Sequence, residues 1–230
     1  RGSAYDLIIF DCDGVLVDSE MLSAKVLLQQ LAEIGIPMTI EEFRHDFLWR
    51  GFAAATARLK ARTNIDVPIH FHTQYFERLV QLFETDLRPM IGIEKVLQTI
   101  TIPHCVASSS IPPRLDAAMR LCDLERYFGP HVYSSVRVKN GKPAPDLFLL
   151  AAKTMNVEPK RCLVIEDSEM GILAAHAAGM PVWHFTGGAH MIAGHPLSEG
   201  LKVDRVVQDM AELHHVFCES GICTRERVAF

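Results

Sequence analysis

Residues 7–18 read Leu-Ile-Ile-Phe-Asp-Cys-Asp-Gly-Val-Leu-Val-Asp, so a short apolar run leads directly into two aspartates, Asp11 and Asp13. The run itself is typical of a buried strand. Because side chains at i and i+2 of an extended segment point the same way, the two carboxylates can converge while Cys12 turns aside. Like charges taken out of water repel, so such a pair is costly unless a cation or a reaction uses it. The stretch therefore predicts a strand that ends at a reactive or metal-binding site.

Other apolar runs recur along the chain, and helical patterns separate most of them. The runs cover residues 105–107, 162–165, 182–185 and 203–207, and the helical patterns cover residues 93–100, 114–122, 147–155 and 171–178. Alternating strands and helices predict an α/β fold with a Rossmann-like parallel sheet covered on both faces. In such a sheet, groups just past the carboxyl ends of the strands face the ligand crevice.

The interval 19–86 breaks this alternation, because its patterns are helical throughout. The first of them, residues 21–34, is closed by Gly35 and Pro37, which are common helix terminators. A helical block inserted directly after the first strand predicts a separate α-helical cap domain. We expect a core of residues 1–18 and 87–230 and a cap of residues 19–86.

The composition excludes several classes of partner. A chain with 49% hydrophobic and 22% charged residues is typical of a soluble globular protein, and its net charge of −5 offers no broad basic face to nucleic acid or anionic lipid. No apolar run reaches the roughly 20 residues of a membrane span, and the first residues lack a signal-peptide pattern. We expect a cytoplasmic protein, monomeric or weakly dimeric, that binds neither nucleic acid nor membrane.

The six cysteines include no CxxC pair. Because cytosolic proteins rarely use structural disulfides, we expect reduced and mostly buried thiols.

A second acidic pair closes residues 162–168, Cys-Leu-Val-Ile-Glu-Asp-Ser. Ser168 suits the N-cap of a following helix, but capping does not explain Glu166 and Asp167 at the end of an apolar strand. Together with Asp11 and Asp13, these acids would form an oxygen-rich site, which suits Mg²⁺ better than Zn²⁺.

Two other readings of the Asp11 and Asp13 pair are an ordinary capping turn and a calcium-binding loop. Residues 15–20 lack the alternating oxygen ligands of an EF-hand calcium-binding loop. The capping turn stays open on the first motif alone.

Two further segments could bind a phosphoryl group. Residues 108–110 are three serines after an apolar run, and Lys142 lies in the sequence Asn-Gly-Lys-Pro-Ala-Pro-Asp at residues 140–146. A hydroxyl and free backbone N–H groups bind phosphate oxygens, and a lysine neutralises carboxylates and phosphate. Each signal alone is weak, since a serine cluster is usually a turn and a lysine before proline usually lies in a solvated loop.

Taken in order, the four segments resemble the motifs of the haloacid dehalogenase superfamily, in the branch with a helical cap after the first motif. The resemblance runs from Asp6 to about Val207, and residues 141–180 are similar to the neighbourhood of 6-phosphogluconate phosphatase and beta-phosphoglucomutase. It implies a Rossmann-like core, a phosphorylated small metabolite as substrate, and Mg²⁺ as cofactor.

The resemblance also implies a role for each motif residue. Asp11 would attack phosphorus and form an aspartyl-phosphate, and Asp13 would carry protons as general acid and then base. The ion would be held by the Asp11 carboxylate, the backbone carbonyl of Asp13 and Asp167. Glu166 would either bind the ion directly or support the residues that do.

Ser108 and Lys142 would hold the transferring phosphoryl group. Ser109 and the backbone amides of Cys12 and Gly14 are weaker phosphate-binding candidates.

Two residues discriminate within the superfamily. Dehalogenases do without the second aspartate and phosphonatases replace it with alanine, so Asp13 argues against both. Where the beta-phosphoglucomutase branch carries a histidine, this chain has Ser23, which favours plain hydrolysis. We expect a Mg²⁺-dependent phosphatase acting on a sugar or sugar-acid phosphate; a phosphomutase and a non-catalytic metabolite-binding protein are the alternatives.

Substrate contacts are expected from the cap. Residues 47–51, Phe-Leu-Trp-Arg-Gly, resemble its substrate loop, where Arg50 could bind a hydroxyl-rich or carboxylated substrate and Trp49 and His45 could contribute. Packing of Trp49 and solvation of Arg50 explain the loop equally well.

The sequence Gly-Gly-Ala-His at residues 187–190 follows a strand-like run. It suits either the edge of the cleft or a flexible loop.

Overall fold

The computed structural model describes residues 2–48, 52–191 and 197–224. The chain separates into two compact units. One unit contains the residues up to Asp18 and those from Arg88 onward, and the other contains Ser19–Leu87.

The first unit is built on a six-stranded sheet with the order β3-β2-β1-β4-β5-β6, and every neighbouring pair is parallel. The strands are β1 Leu7–Phe10, β2 His104–Ser108, β3 Val132–Ser134, β4 Cys162–Glu166, β5 Val182–Phe185 and β6 Arg205–Val207. The chain builds outward from β1 to β3 on one side and then returns to add β4, β5 and β6 on the other. The carboxyl ends of β1 and β4 therefore flank the switch point, where α/β sheets bind ligands.

Six α-helices of the described residues belong to this unit. They are α5 Ile93–Thr99, α6 Pro112–Leu121, α7 Glu125–Phe128, α8 Asp146–Thr154, α9 Glu169–Ala177 and α10 Met210–Glu219. The strands β1 and β4 are buried along their whole length, and their inward side chains join those of α8 and α9 in one apolar core. The predicted α/β fold is confirmed. The three-residue strand β3, which the apolar runs did not indicate, extends the sheet by one position.

The second unit is helical and has its own core. Its helices are α1 Glu20–Glu33, α2 Ile40–Asp46, α3 Phe52–Thr63 and α4 Phe71–Asp86. Helix α1 ends before Gly35, whose φ of +83° favours glycine. Helices α1 and α4 are joined by a buried hydrogen bond in which the Gln30 side chain donates to the Phe71 carbonyl at 2.8 Å.

The two junctions of this helical segment meet on the sheet unit. The backbone N–H of Asp18 donates to the carbonyl of Arg88 at 3.1 Å, and Val17 forms an antiparallel bridge with Pro89. The chain thus leaves the sheet unit and returns to it at one point.

Four of the cysteines are buried free thiols, as expected: Cys12, Cys105, Cys122 and Cys162. The expectation was wrong for Cys218 and Cys223, which form a disulfide. The reason is local, since α10 ends at Glu219 and Gly221, with a φ of +75°, turns the chain back beside the helix. Within the described ranges, no helix combines the length and apolar character needed to cross a membrane.

Candidate active site

The first motif turns sharply at the end of β1. The Asp11 N–H continues the pairing with β4 by donating to the Ile165 carbonyl at 3.0 Å. Gly14 follows with a φ of +82°, and a Cβ placed there would lie 2.2 Å from Asp167 Oδ2. Glycine is required at this position by both the backbone conformation and the space. The turn therefore brings the first motif against Asp167, the residue that follows β4.

Lys142 lies at the centre of the acidic site. Its Nζ donates to Glu166 Oε2 at 2.8 Å, to the Ala107 carbonyl at 3.0 Å and to Asp11 Oδ1 at 3.1 Å. The lysine and glutamate side chains are 3% and 0% exposed. Burial works to lower the pKa of Lys142, but the neighbouring carboxylates outweigh it and raise that pKa above its ordinary value. The ammonium group stays charged and joins the ends of β1, β2 and β4.

Three buried acids surround this ammonium group. Carboxylate oxygens of Asp11, Glu166 and Asp167 lie within 4.8 Å of one another. Burial, reinforced by repulsion between neighbouring acids, raises the pKa of each, well above the usual range for Asp11 and to about 6 for Asp167. One lysine does not balance three carboxylates. A hard divalent cation with oxygen ligands fits this donor set, and Mg²⁺ is such an ion.

Glu166 has most of its acceptor positions filled. Besides Lys142, it accepts hydrogen bonds at Oε1 from the backbone N–H groups of Asp167 at 3.1 Å and Ser168 at 3.4 Å. The Ser168 hydroxyl, which also caps α9 by accepting from the Gly171 N–H, lies 3.3 Å from the same oxygen. A Cβ at Gly171 would lie 1.9 Å from the Glu166 carboxyl group, so the helix reaches the glutamate only with glycine there.

Asp13 faces a different set of partners from Asp11. Its Oδ2 accepts from the Ser110 hydroxyl at 2.6 Å, and its Oδ1 accepts from Arg114 Nη2 at 3.1 Å. Asp13 is not a member of the three-acid cluster. The i, i+2 spacing allowed the two carboxylates to converge in an extended segment. That geometry belongs to extended backbone, whereas β1 ends at Phe10 and the chain then turns.

The serines after β2 have separate environments. Ser108 is 1% exposed, and its hydroxyl accepts from the Ser110 N–H at 3.1 Å. Ser109 is exposed. Ser110 and Arg114 were not expected from the sequence as partners of Asp13, although Ser110 belongs to the serine run at residues 108–110 and Arg114 follows it by one helical turn.

Two histidines reach Asp167 from β5 and the loop after it. His184 Nε2 lies 3.0 Å from the Asp167 backbone carbonyl, and His190 Nε2 lies 2.8 Å from Asp167 Oδ2. Burial lowers the pKa of His184, and the hydrogen bond to the carbonyl opposes that shift only in part. Residues 187–190 were expected either to edge the cleft or to form a flexible loop. The contact between His190 and Asp167 favours the first alternative.

The residues expected to contact substrate belong to the helical unit. His45 lies exposed on α2, and Trp49 and Arg50 fall outside the described residues. Ser23, from which plain hydrolysis was expected, is buried on α1, and its hydroxyl is hydrogen-bonded to that of Tyr75 on α4.

Known proteins are similar to this chain in sequence and in fold. Residues 5–179 match the family model of the haloacid dehalogenase-like hydrolases. The 6-phosphogluconate phosphatase of Escherichia coli is 29% identical over 198 residues, which cover 82% of this chain and 86% of the relative. The fructose-1-phosphate phosphatase of the same organism is 30% identical over 76% of this chain and 94% of its own length.

A solved structure matches nearly the whole chain. It is a haloacid dehalogenase-like protein of unknown function from Agrobacterium tumefaciens, with a TM-score of 0.84 and 35% identity, and the match covers 94% of this chain and 99% of that one.

Proposed function

Since this chain belongs to the haloacid dehalogenase-like hydrolases, we propose that it hydrolyses the phosphate ester of a sugar or sugar acid through a covalent aspartyl-phosphate on Asp11, with Mg²⁺ as cofactor. At the coarser level the chain is a phosphoric monoester hydrolase of phosphorylated metabolites, as its named relatives are. The main support for this proposal is the position of Asp11, whose carboxylate lies 3.1 Å from the buried Lys142 at the switch point of the sheet.

Asp11 is the proposed nucleophile. Its burial favours the neutral acid, and Lys142 opposes that effect and favours the carboxylate that attacks phosphorus. As the bond from Asp11 to phosphorus forms, the bond from phosphorus to the ester oxygen breaks. A water molecule then attacks the same phosphorus, the bond to Asp11 breaks, and inorganic phosphate is released.

Asp13 is the proposed proton carrier. It gives a proton to the leaving ester oxygen in the first step and takes one from the attacking water in the second. Its carboxylate suits this role because Ser110 and Arg114 hold it apart from the acid cluster. A carboxylate that coordinated the metal ion through its oxygens could not accept and release protons freely.

The carboxylates of Asp11 and Asp167, with the backbone carbonyl of Asp13, would hold Mg²⁺. The ion supplies neutralisation of charge on the phosphoryl oxygens. Glu166 is better suited to fixing Lys142 than to direct ligation, because its oxygens already accept from the lysine and from two backbone N–H groups.

Lys142 and Ser108 are the proposed phosphoryl-binding side chains. Their contribution is positioning and electrostatic stabilisation, which dominate phosphoryl transfer. Ser109 and the backbone amides of Cys12 and Gly14 are further proposed donors.

The sugar class of the substrate is proposed from the two named relatives, which act on 6-phosphogluconate and fructose 1-phosphate. Incubation with a panel of phosphorylated sugars, sugar acids and other metabolites, with Mg²⁺ or with chelator, tests it. Released phosphate is measured beside isomerised substrate. We expect Mg²⁺-dependent phosphate release, greatest for a sugar or sugar-acid phosphate. Isomer in place of phosphate would contradict hydrolysis, and a lack of turnover across the panel would favour the binding-protein alternative.

The nucleophile is tested with Asp11→Asn, which we expect to lower turnover at least about 1,000-fold. Asp6→Asn is the matched control, because Asp6 precedes the same strand at its opposite end and pairs with Arg161 on the surface. Retained turnover in Asp11→Asn would overturn the covalent mechanism.

A further inference from the structure

His190 is a buried histidine that the proposed chemical steps do not use. It is 1% exposed, and its Nε2 lies 2.8 Å from Oδ2 of Asp167. Since an ionised carboxylate only accepts hydrogen bonds, Nε2–H is the donor. The imidazole therefore occupies one of the two oxygens of a proposed metal ligand.

The loop that carries His190 is fixed at several points. The Ala189 N–H donates to Asp18 Oδ1 at 3.1 Å, which ties the loop to the first motif. The Met191 N–H donates to the Gly188 carbonyl at 3.0 Å and closes a turn around His190. At the other end, the Thr186 N–H donates to the Val207 carbonyl at 2.9 Å. The loop is thus anchored before the histidine, and a turn closes around it.

Two glycines make room for the imidazole. A Cβ at Gly188 would lie 2.4 Å from His190 Cε1, and a Cβ at Gly14 would lie 2.9 Å from the same atom. Gly14 belongs to the first motif and Gly188 to the loop. The ring is therefore enclosed by both segments.

Asp167 is held at two places by histidines. His184 contacts its backbone carbonyl at 3.0 Å, while His190 contacts its carboxylate. The backbone contact fixes where the residue lies, and the side-chain contact fixes how its carboxylate is rotated. An oriented carboxylate binds a cation with less loss of conformational freedom than one that rotates.

From these contacts we propose that His190 is a positioning residue of the divalent-cation site, which orients Asp167 so that its second carboxylate oxygen is presented to the ion. The inference rests on the proposed function, because it takes Asp167 as a ligand of Mg²⁺. It assigns a role to the Gly-Gly-Ala-His loop. Partners of this kind, which hydrogen-bond to a ligating group, typically change metal affinity 10- to 100-fold when they are mutated.

The test is titration of the folded, chelator-treated full chain with MgCl₂ in a calorimeter, with no substrate present. We expect His190→Ala to raise the Kd for Mg²⁺ about 10- to 100-fold. His190→Gln, whose amide nitrogen reaches the position of Nε2, should bind Mg²⁺ more tightly than His190→Asn, whose shorter side chain does not. If His190→Ala does not fold, the comparison of the Gln and Asn variants decides.

His104→Gln is the matched control for loss of a structural histidine. His104 Nε2 lies 2.8 Å from the Tyr127 carbonyl at the opposite end of the sheet, so this variant should keep the wild-type Kd. An unchanged Kd in His190→Ala, or equal affinities in the Gln and Asn variants, would overturn the positioning role.

The result separates this inference from the proposed function. A wild-type chain that releases phosphate and binds Mg²⁺, with His190 variants that bind it equally well, refutes the role of His190 alone. A wild-type chain that does not bind Mg²⁺ refutes both.

Discussion

Arg114 holds the carboxylate of Asp13 through a 3.1 Å ion pair in which both side chains are only 15% exposed. The arginine lies near the start of α6 and the aspartate in the turn after β1, so the pair joins two segments beyond the sheet. The orientation of the Asp13 carboxylate therefore depends on Arg114, a residue outside the four sequence motifs. This orientation matters because Asp13 is the proposed proton carrier.

Replacing this arginine should impair proton transfer. We expect Arg114→Met to lower kcat for a sugar phosphate about tenfold or more, a part of the 10²- to 10⁴-fold that general acid catalysis contributes. An aryl phosphate, whose phenolate leaves with little protonation, should be affected less. The measurement is kcat on both substrates. Arg126→Met, which breaks an exposed pair with Glu94, is the control, and equal losses on both substrates would contradict the assignment.

Removing the central lysine should destabilise the protein. Lys142→Met leaves Asp11 and Glu166 buried without their cation, a change that typically costs about 3–5 kcal/mol. Urea unfolding in chelator measures it. Lys160→Met, at a lysine that is 77% exposed beside Glu158, should change little.

A second substitution checks the reason for that loss. The double variant Lys142→Met/Glu166→Gln should recover part of the stability, because it removes one uncompensated charge. A double variant no more stable than the single one would show that the charge is not the cause.

The metal-free protein should respond to pH through Asp167. Its pKa is about 6 in the folded protein, against an ordinary value of 3.8. Between these values the folded state binds more protons than the unfolded state, so this group's contribution to stability falls as pH rises through that window and stays low above it. As pH rises from 4 to 7, the free energy of unfolding of Asp167→Asn should therefore increase relative to that of wild type by on the order of 3 kcal/mol.

Urea unfolding of both proteins in chelator, at several pH values, measures this difference. A stability difference that does not vary with pH would exclude Asp167 as the titrating group. Added Mg²⁺ should stabilise wild type more at pH 7 than at pH 5, since the ion binds the ionised acids.

A methyl group at Gly14 should disturb the acid site beyond its effect on the backbone. Gly14→Ala combines a φ of +82° with a Cβ 2.2 Å from Asp167 Oδ2, whereas Gly179→Ala places its Cβ in open space at a φ of +71°. The Gly179 variant should show only the backbone cost, about 1–2 kcal/mol. We expect Gly14→Ala to lose more stability than Gly179→Ala and also to lose phosphatase activity. If the two variants showed equal stability and equal activity, the close packing at Gly14 would be refuted.

The sequence was most informative where an apolar run ended in acids. Strands β1 and β4 could be predicted because burial on both faces requires continuous apolar residues. Acids at the end of such a run are costly unless a partner or a cation compensates their charge. Strand β3 was missed because Val132 and Tyr133 lie between His131 and two serines, so no apolar run marks the segment. Strand order, in turn, follows from pairing between distant segments.

The partners of the motif residues were harder to predict. Ser110 and Arg114 lie 97 and 101 residues from Asp13, and no local pattern connects positions so far apart. His190 is a single histidine in a glycine-rich loop. A loop lacks the residue periodicity from which buried positions of helices and strands are predicted. Such contacts follow from how the strands assemble.

The hydrogen bond between Asp18 and Arg88, at 3.1 Å, makes the helical segment an insertion with adjoining ends. Because the two ends adjoin, the inserted segment does not have to cover a fixed distance across the sheet unit. A longer, shorter or unrelated domain could be inserted there without moving β1 or the strands beside it. The reaction centre and the inserted segment can consequently diversify separately, with one hydrolytic apparatus kept while the grafted module changes.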